Sequence, residues 1–458
     1  MSITLHNWKK SISYDANALV VVTSPEQIAT IVRDRDSYPS PVRARGSHHS
    51  TTDCVVAEGG TVIDLRRMNR ILDINQQALT ITMQAGVRHI DAAKALEKLG
   101  LQFYVNVEIG NLTVGSGACG ATKDASFFAD GDMEYGQVAS YCIGYKAVQP
   151  DGSLLEVTEA DGEMLEMMRS SYGLLGIIYE VTYRVKRIRP MAVKHVAYSA
   201  RDFSNRMGEL LSQDRSTMLY LFPFLDKVVV EYRFDGQAPM RSGSWQWRLR
   251  NWVWKTGSPG FARVITSFVP GRSLRSWILD RWNSLSVWVM TSVLRGCHTS
   301  PADQIILYPD TAGFASYTFS IWAFSRETYG EDLLAYFQFC RDYFERTGYR
   351  CDLLNVGYSI AADRQSLFSY SRNGPVLTLD PVSTGSEGWL EFLDAYNAFC
   401  DERGGKPLFN QSRGITHDQA RRAFGEEIDA FTARRRELDP EDRFYTPFFR
   451  ELFEPASS

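Results

Sequence analysis

The chain has 458 residues, 44% of them apolar and 23% charged, with a formal net charge of −4. At roughly 100–200 residues per domain, that length makes two or three domains and a core large enough to need no disulfide or metal staples. The balance excludes a disordered chain, a collagen-like fibre and a long coiled coil. The lack of a basic excess excludes a general nucleic-acid binder, which needs a positive face to displace counterions.

Residues 17–22 read as a strand. Ser24-Pro25-Glu26-Gln27 then opens a helix, with Ser24 as cap, Pro25 at the first helical position and Gln27 closing a capping box. Residues 42–45 read as a strand ending at Gly46, and 61–65 and 78–85 as further β-rich runs. Residues 89–99 form an amphipathic helix with Gly100 just past its end. Residues 140–149 and 154–158 make a hairpin across Pro150-Asp151-Gly152, and 177–187 alternate as a closing strand.

Pro190 marks a boundary. Beyond it, 219–224, 227–234, 315–324 and 353–361 read as strands, and 329–347, 388–403 and 418–438 as helices. The stretch 241–297 differs. It holds seven of the ten tryptophans and nine basic residues, from Arg241 to Arg295, against Asp280 alone. Two readings stand: an interfacial membrane segment, or a cap subdomain with buried Trp and Arg stems lying along apolar surface.

Seven cysteines, at 54, 119, 142, 297, 340, 351 and 400, are odd in number and have no CxxC spacing. They read as reduced thiols with no metal site. With no signal-like N-terminus and no spanning run of about 18 apolar residues, a cytoplasmic protein is expected.

Two loops could carry chemistry. Gly115-Ser116-Gly117-Ala118-Cys119-Gly120 matches G-x-G-x-x-G, but no helical pattern follows it, as a nicotinamide fingerprint would need. Its small residues still let a backbone curl against a pyrophosphate. Arg45-Gly46-Ser47-His48-His49-Ser50 ends a strand in glycine and pairs two histidines with flanking hydroxyls. Alone it reads as a solvated loop; beside the first loop it reads as the second half of a phosphate cradle.

These residues resemble the FAD-binding domain of the vanillyl-alcohol oxidase superfamily, the para-cresol methylhydroxylase (PCMH) type, nearest its aldonolactone and alditol oxidase branch. The similarity runs in order through 62–65, 68–72, 81–86, 110–115, 149–152 and 171–178, and again at 435–440 with Arg443-Phe444. The resemblance implies an α+β fold in three parts. A two-subdomain flavin domain spans 1–190, an α+β substrate or cap domain 191–405, and a C-terminal segment, 406–458, returns to the flavin domain. It implies FAD held by Arg45, Gly46, Ser47, His48, His49 and Ser50, by Thr113, Gly115, Gly117, Thr122, Lys123 and Ser126, and by Gly173 and Ile178. His49, just before Ser50, matches the histidine that this family links to the flavin 8α-methyl. The implied reaction is hydride transfer from a CH–OH group of a small or apolar substrate, a sugar lactone, an alditol or a specialised metabolite, with oxygen or another electron acceptor.

The chain departs from that pattern in three places. Gly120-Ala121-Thr122-Lys123-Asp124 stands where many relatives carry Thr-Gly-Thr-His-Gly, so Lys123 is either a flavin contact or half of a surface Lys-Asp pair. Asn410 or Gln411 occupies the position of a family lysine, and either can donate to a flavin oxygen. The strand around Asn355–Ile360 lacks the family's Glu and Arg, leaving Tyr358 as candidate or as a structural residue. Tyr358, Asn410 and Gln411 are therefore the expected catalytic residues. Cys119 lies past the position of a second, cysteinyl flavin link and reads as a packed thiol. Two alternatives remain: an enzyme resembling decaprenyl-phosphoryl-ribose oxidase, with non-covalent FAD and a lipid-linked substrate, and a flavin-binding protein without turnover.

Overall fold

The computed structural model describes residues 2–129, 132–211, 215–235, 244–294, 296 and 298–455. Arg241, Arg295 and Cys297, counted above, lie outside the described residues.

Strands Ala18–Val21, Thr61–Asp64 and Val42–Arg45 form a parallel sheet with Thr61–Asp64 in the centre. That central strand is buried throughout, and helix Pro25–Arg33 crosses over between its neighbours, as parallel pairing requires. Ser24 caps the helix by accepting from the Gln27 N–H. Gln27 reaches back to the Thr23 N–H, one residue earlier than the expected box partner. Ile28, Ile31 and Val32 bury the inner face.

A second, antiparallel sheet runs in the order Leu154–Thr158, Cys142–Val148, Ile177–Arg187, Thr80–Gln84, Ile71–Asn75. Leu101–Phe103 pairs with the far end of Ile177–Arg187. The expected hairpin forms, and Gly152 takes the positive φ of +79° that its turn demands. Between these sheets the glycine-rich run coils into the short helix Val114–Cys119. Residues 120–127 contain no helix, so the order of a nicotinamide fingerprint is absent there.

A third sheet of eight antiparallel strands contains Met191–Ser199, Lys227–Asp235, Ser216–Phe222, Asn355–Ile360, Val376–Leu379 and Trp322–Ser325 in that order, with His298–Thr299 and Lys406–Pro407 at its edges. Helices Tyr329–Thr347 and Trp389–Glu402 bury Tyr336, Phe337, Phe392 and Tyr396 at this sheet. Two expected strands differ from the prediction. The run expected at 219–224 starts earlier, at Ser216, and stops at Phe222 because Pro223 has no N–H to give the ladder. The run 315–324 splits into Thr318–Phe319 and Trp322–Ser325, because the Ser412 hydroxyl claims the Ile321 carbonyl between them.

The C-terminal segment ties back to the first sheet. Arg443 is buried and donates to the carbonyls of Ile31 and Val32, while its own carbonyl accepts from Val42 N. Thr51 and Thr52 bond the carbonyls of Asn410, Gln411 and Phe409. The tryptophan-rich stretch forms helices Trp245–Trp252, Ser258–Phe268 and Arg272–Ser292, the first two joined by a π-helical turn, Val253–Gly257.

Candidate active site

A cleft with about 1680 Å³ of empty space, including its mouth, lies where all these parts meet. Strand Val42–Arg45 delivers the first loop to it, helix Val114–Cys119 and the residues after it the second, and 172–178 a third. Buried Arg43 fastens these loops together by donating to the carbonyls of Cys54, Tyr172, Gly173 and Phe444. Gly173 sits at φ +76°, the left-handed region where glycine is least strained. Gly46 lies against Thr113; a Cβ there would come within 2.2 Å of the Thr113 hydroxyl. Close approach of the two loops thus requires glycine at 46.

The cleft is lined by Arg45, Gly46, Ser47, His48, His49, Ser50, Thr113, Gly115, Thr122, Lys123, Gly173 and Ile178 of the expected cofactor residues, and by Tyr358, Asn410 and Gln411. Two expected residues are outside the lining. Gly117 faces Val138, Leu112 and Tyr183, because the helix turns it inward. Ser126 ties the loop to the third sheet, donating its N–H to Ser359 and accepting from the Ala361 N–H.

Several lining atoms are buried without a hydrogen-bond partner: Arg45 Nε, His49 Nε2, Asn410 Oδ1, Gln411 Oε1 and Asp380 Oδ1. Nine in ten buried polar atoms of folded proteins are satisfied, so such a cluster around one cavity fits a polar ligand that completes it. His49 stacks on Trp8 at 4.9 Å, and burial holds its imidazole neutral by lowering its pKa to about 3. His48 turns on a positive φ toward Tyr14; burial, then the charge of Arg45, lowers it to about 3 as well. Cys119 also lines the cleft, its thiol pushed up to about 12 by burial, so it is an inert thiol.

Lys123 is not half of a surface pair. Its ammonium bonds Asp380 at 2.9 Å, with the two side chains only 4% and 2% exposed, and lies 3.7 Å from the centre of the Tyr358 ring. Burial lowers Lys123 against the pull of Asp380, and burial raises Asp380 against the pull of Lys123. Opposite the glycine loops, Trp254, Tyr317, Phe319, Ile321, Val356 and Val382 form an apolar wall.

Behind this wall stands a network that the sequence did not disclose. Glu231 is fully buried; it accepts from Tyr220 at 2.7 Å and from Arg233 at 2.6 Å, and its Oε2 lies 2.9 Å from His195 Nε2. Arg233 continues to both oxygens of Asp124 at 3.0 Å, and Asp124 lines the cleft. Arg250 pairs with Glu108, another lining residue. Burial pushes Glu231 up, but Arg233 and His195 outweigh it and hold the carboxyl well below the usual range. A Glu and an Arg two residues apart in an otherwise apolar strand was the available signal, since that spacing sends both to one face.

Comparison with known proteins agrees with this geometry. Residues 16–158 match the family described as FAD binding domain. Over 99% of this chain and 100% of the relative, the sequence is 24% identical to L-gulono-1,4-lactone dehydrogenase of Mycobacterium tuberculosis. It is 20% identical to L-gulonolactone oxidase of Bos taurus over 98% of each. Among solved structures, cholesterol oxidase from B. sterolicum superposes with a TM-score of 0.79 at 13% identity, covering 99% of this chain and 97% of that one. Xylooligosaccharide oxidase from Myceliophthora thermophila C1 gives 0.65 at 13% identity, covering 99% and 94%. At such identities the structures bear on the fold alone.

Proposed function

We propose that this chain is an FAD-dependent oxidoreductase of the PCMH-type flavoprotein superfamily, on its aldonolactone oxidase branch, acting on CH–OH donors, and that its residues divide the work as follows. Arg45 to Ser50, Thr113, Gly115, Thr122, Gly173 and Ile178 hold FAD, with Gly117 and Ser126 shaping the second loop from behind. His49 carries the 8α link; a neutral imidazole with an unpartnered Nε2 supports that assignment. Bound FAD supplies the hydride acceptor.

The chain's own residues handle the proton and the orientation. The buried Lys123–Asp380 pair takes the proton of the substrate hydroxyl, helped by a low dielectric that draws the two groups toward neutrality. Tyr358 lies under the Lys123 ammonium and positions it. Asn410 and Gln411 offer amide groups to FAD or substrate in place of the family lysine. The apolar wall excludes water from the reacting carbon.

The observation that carries the substrate reading is that wall, which favours a ring or hydrocarbon over a bare polyol. A sugar lactone is the second reading, favoured by the full-length relatives. A lipid-linked substrate with non-covalent FAD is the third, favoured by the exposed tryptophans of 241–297. The electron acceptor is oxygen or another oxidant. We place the protein in the cytoplasm, with 241–297 as its point of peripheral membrane contact.

An anaerobic bleaching screen with lactones, polyols, aromatic alcohols and prenyl-sugar mimics tests the substrate reading. Faster bleaching by polyols than by apolar alcohols would reject the wall argument.

A further inference from the structure

In the described part of the chain, every tryptophan and phenylalanine classed as exposed lies between 245 and 314. Trp245, Trp252, Trp277 and Trp288 are each more than half exposed, and Phe268 reaches 74%. Helix Arg272–Ser292 carries apolar residues on its water-facing side as well as on its packed side. Its water-facing stripe runs through Leu274, Trp277, Arg281, Leu285 and Trp288, spaced three and four residues apart. A helix facing water would place polar residues there. Contiguous exposed apolar surface of this kind marks a contact site.

Charge identifies the occupant. Residues 244–294 carry seven basic side chains and a single acid, Asp280, in a chain of net charge −4. Asp280 is already paired with Arg350. Arg248, Arg272 and Arg281 are exposed beside the aromatic side chains. A second copy meeting this face through the same face would set the exposed Arg248, Arg272 and Arg281 against like charges. An anionic lipid leaflet answers both the tryptophans and the arginines. No described helix is long and apolar enough to cross a bilayer, so the contact is with the surface of the leaflet.

The same helices reach the cleft. Trp254, in the π-helical turn, lines the cleft and also a smaller cavity against Ser258, Pro259, Trp282 and Ser286, its indole N–H buried without a partner. Tyr317 and Val382 are shared by both cavities. The helical layer is thus the outer side of the apolar wall.

We propose that helices Trp245–Trp252, Ser258–Phe268 and Arg272–Ser292 form a docking surface for an anionic lipid leaflet, which sets the Trp254 side of the cleft against the bilayer. This rests on the reading of 241–297 as the membrane contact and deepens it by naming the lipid charge and the residues. The test is sedimentation of the full-length holoprotein with sucrose-loaded vesicles of pure phosphatidylcholine or of phosphatidylcholine with phosphatidylglycerol. Binding to the anionic vesicles should be at least tenfold tighter than to the neutral ones and should weaken as salt rises. The exposed-site variant W277S/W288S should lower it a further tenfold, with an unchanged circular dichroism spectrum and unchanged flavin content. R248Q/R281Q should remove the salt dependence. No binding at low salt, binding indifferent to these variants, or concentration-dependent dimers that the tryptophan variant abolishes would overturn the proposal. Vesicle binding needs no turnover, so a failed flavin or substrate assignment would appear as absent bleaching with binding intact.

Discussion

Replacing Arg233 by Met tests whether the network behind the cleft is held as described. Arg233 is 5% exposed and compensates two buried carboxylates, Glu231 at 2.6 Å and Asp124 at 3.0 Å. Glu231 has no solvent access at all, and Arg233 is the largest of the groups that hold its carboxyl down. Removing one member of a buried ionic set costs about 3–5 kcal/mol, because the uncompensated charges stay desolvated; that is roughly a thousandfold in the unfolding equilibrium. Removing the charges together, as R233M/E231Q/D124N, should cost less than R233M alone, since no buried ion is left without a partner. The pH dependence has a definite sign. A carboxyl held low in the folded protein stabilises it above the unfolded carboxylate range and loses that effect as pH falls. Acidification should therefore destabilise the wild type, while R233M, whose Glu231 is no longer held down, should lose less. The gap between the two should narrow from pH 7 to pH 4. Urea unfolding of the full chain, followed by far-ultraviolet circular dichroism at both pH values, reads this directly. A gap below about 1 kcal/mol at pH 7, or one that widens on acidification, would refute the assignment.

Four further outcomes follow from the cleft. In H49A, acid-precipitated protein should be white with free FAD in the supernatant, whereas H48A should stay yellow; colour surviving in H49A would move the link elsewhere. In K123M, flavin reduction by a competent substrate should slow by about 10²–10⁴, the range for losing a positioned base, as measured by anaerobic stopped flow. G46A places a methyl 2.2 Å from the Thr113 hydroxyl. Overpacking of about 1–3 kcal/mol should weaken FAD binding by ten- to a hundredfold when measured in an H49A background, where no link holds the cofactor, by dialysis against free FAD, with partial recovery on adding T113A. Because His48 and His49 are held near pKa 3 by burial, the unfolded chain binds more protons between about pH 3 and 6.5. Stability should therefore drop as pH is lowered through that window, and H49Q should flatten the slope measured by urea midpoints.

Much of the fold follows from local pattern. The strand Ile177–Arg187 alternates so regularly that its bounds are readable from the sequence, and helix Tyr329–Thr347 is marked by its apolar spacing and by Gly348 at its end. Of the glycines that line the cleft, 46 and 115 are visible because a Cβ would collide with the neighbouring loop, and 173 because its positive φ favours glycine. The 241–297 stretch stood out by composition, yet two readings remained, since composition does not say which face of a helix meets water. Along Arg272–Ser292, Trp277 and Trp288 are exposed to water, while Trp247 is buried as the packed reading expects.

By itself, then, the sequence determined most of the elements and the glycine loops, because capping, alternation and tight turns are decided between residues a few positions apart, while flavin chemistry was implied by its resemblance to a flavoprotein family. Only the tertiary structure decided the pairings that give the cleft its character. Lys123 meets Asp380 across 257 positions, Arg233 meets Asp124 across 109, and Asn410 meets the loop after His49 across some 360. A charge carries no mark of its partner in the linear chain. Whether it is a solvated surface group or half of a buried pair depends on which sheets pack together, and that is settled only when the whole core closes.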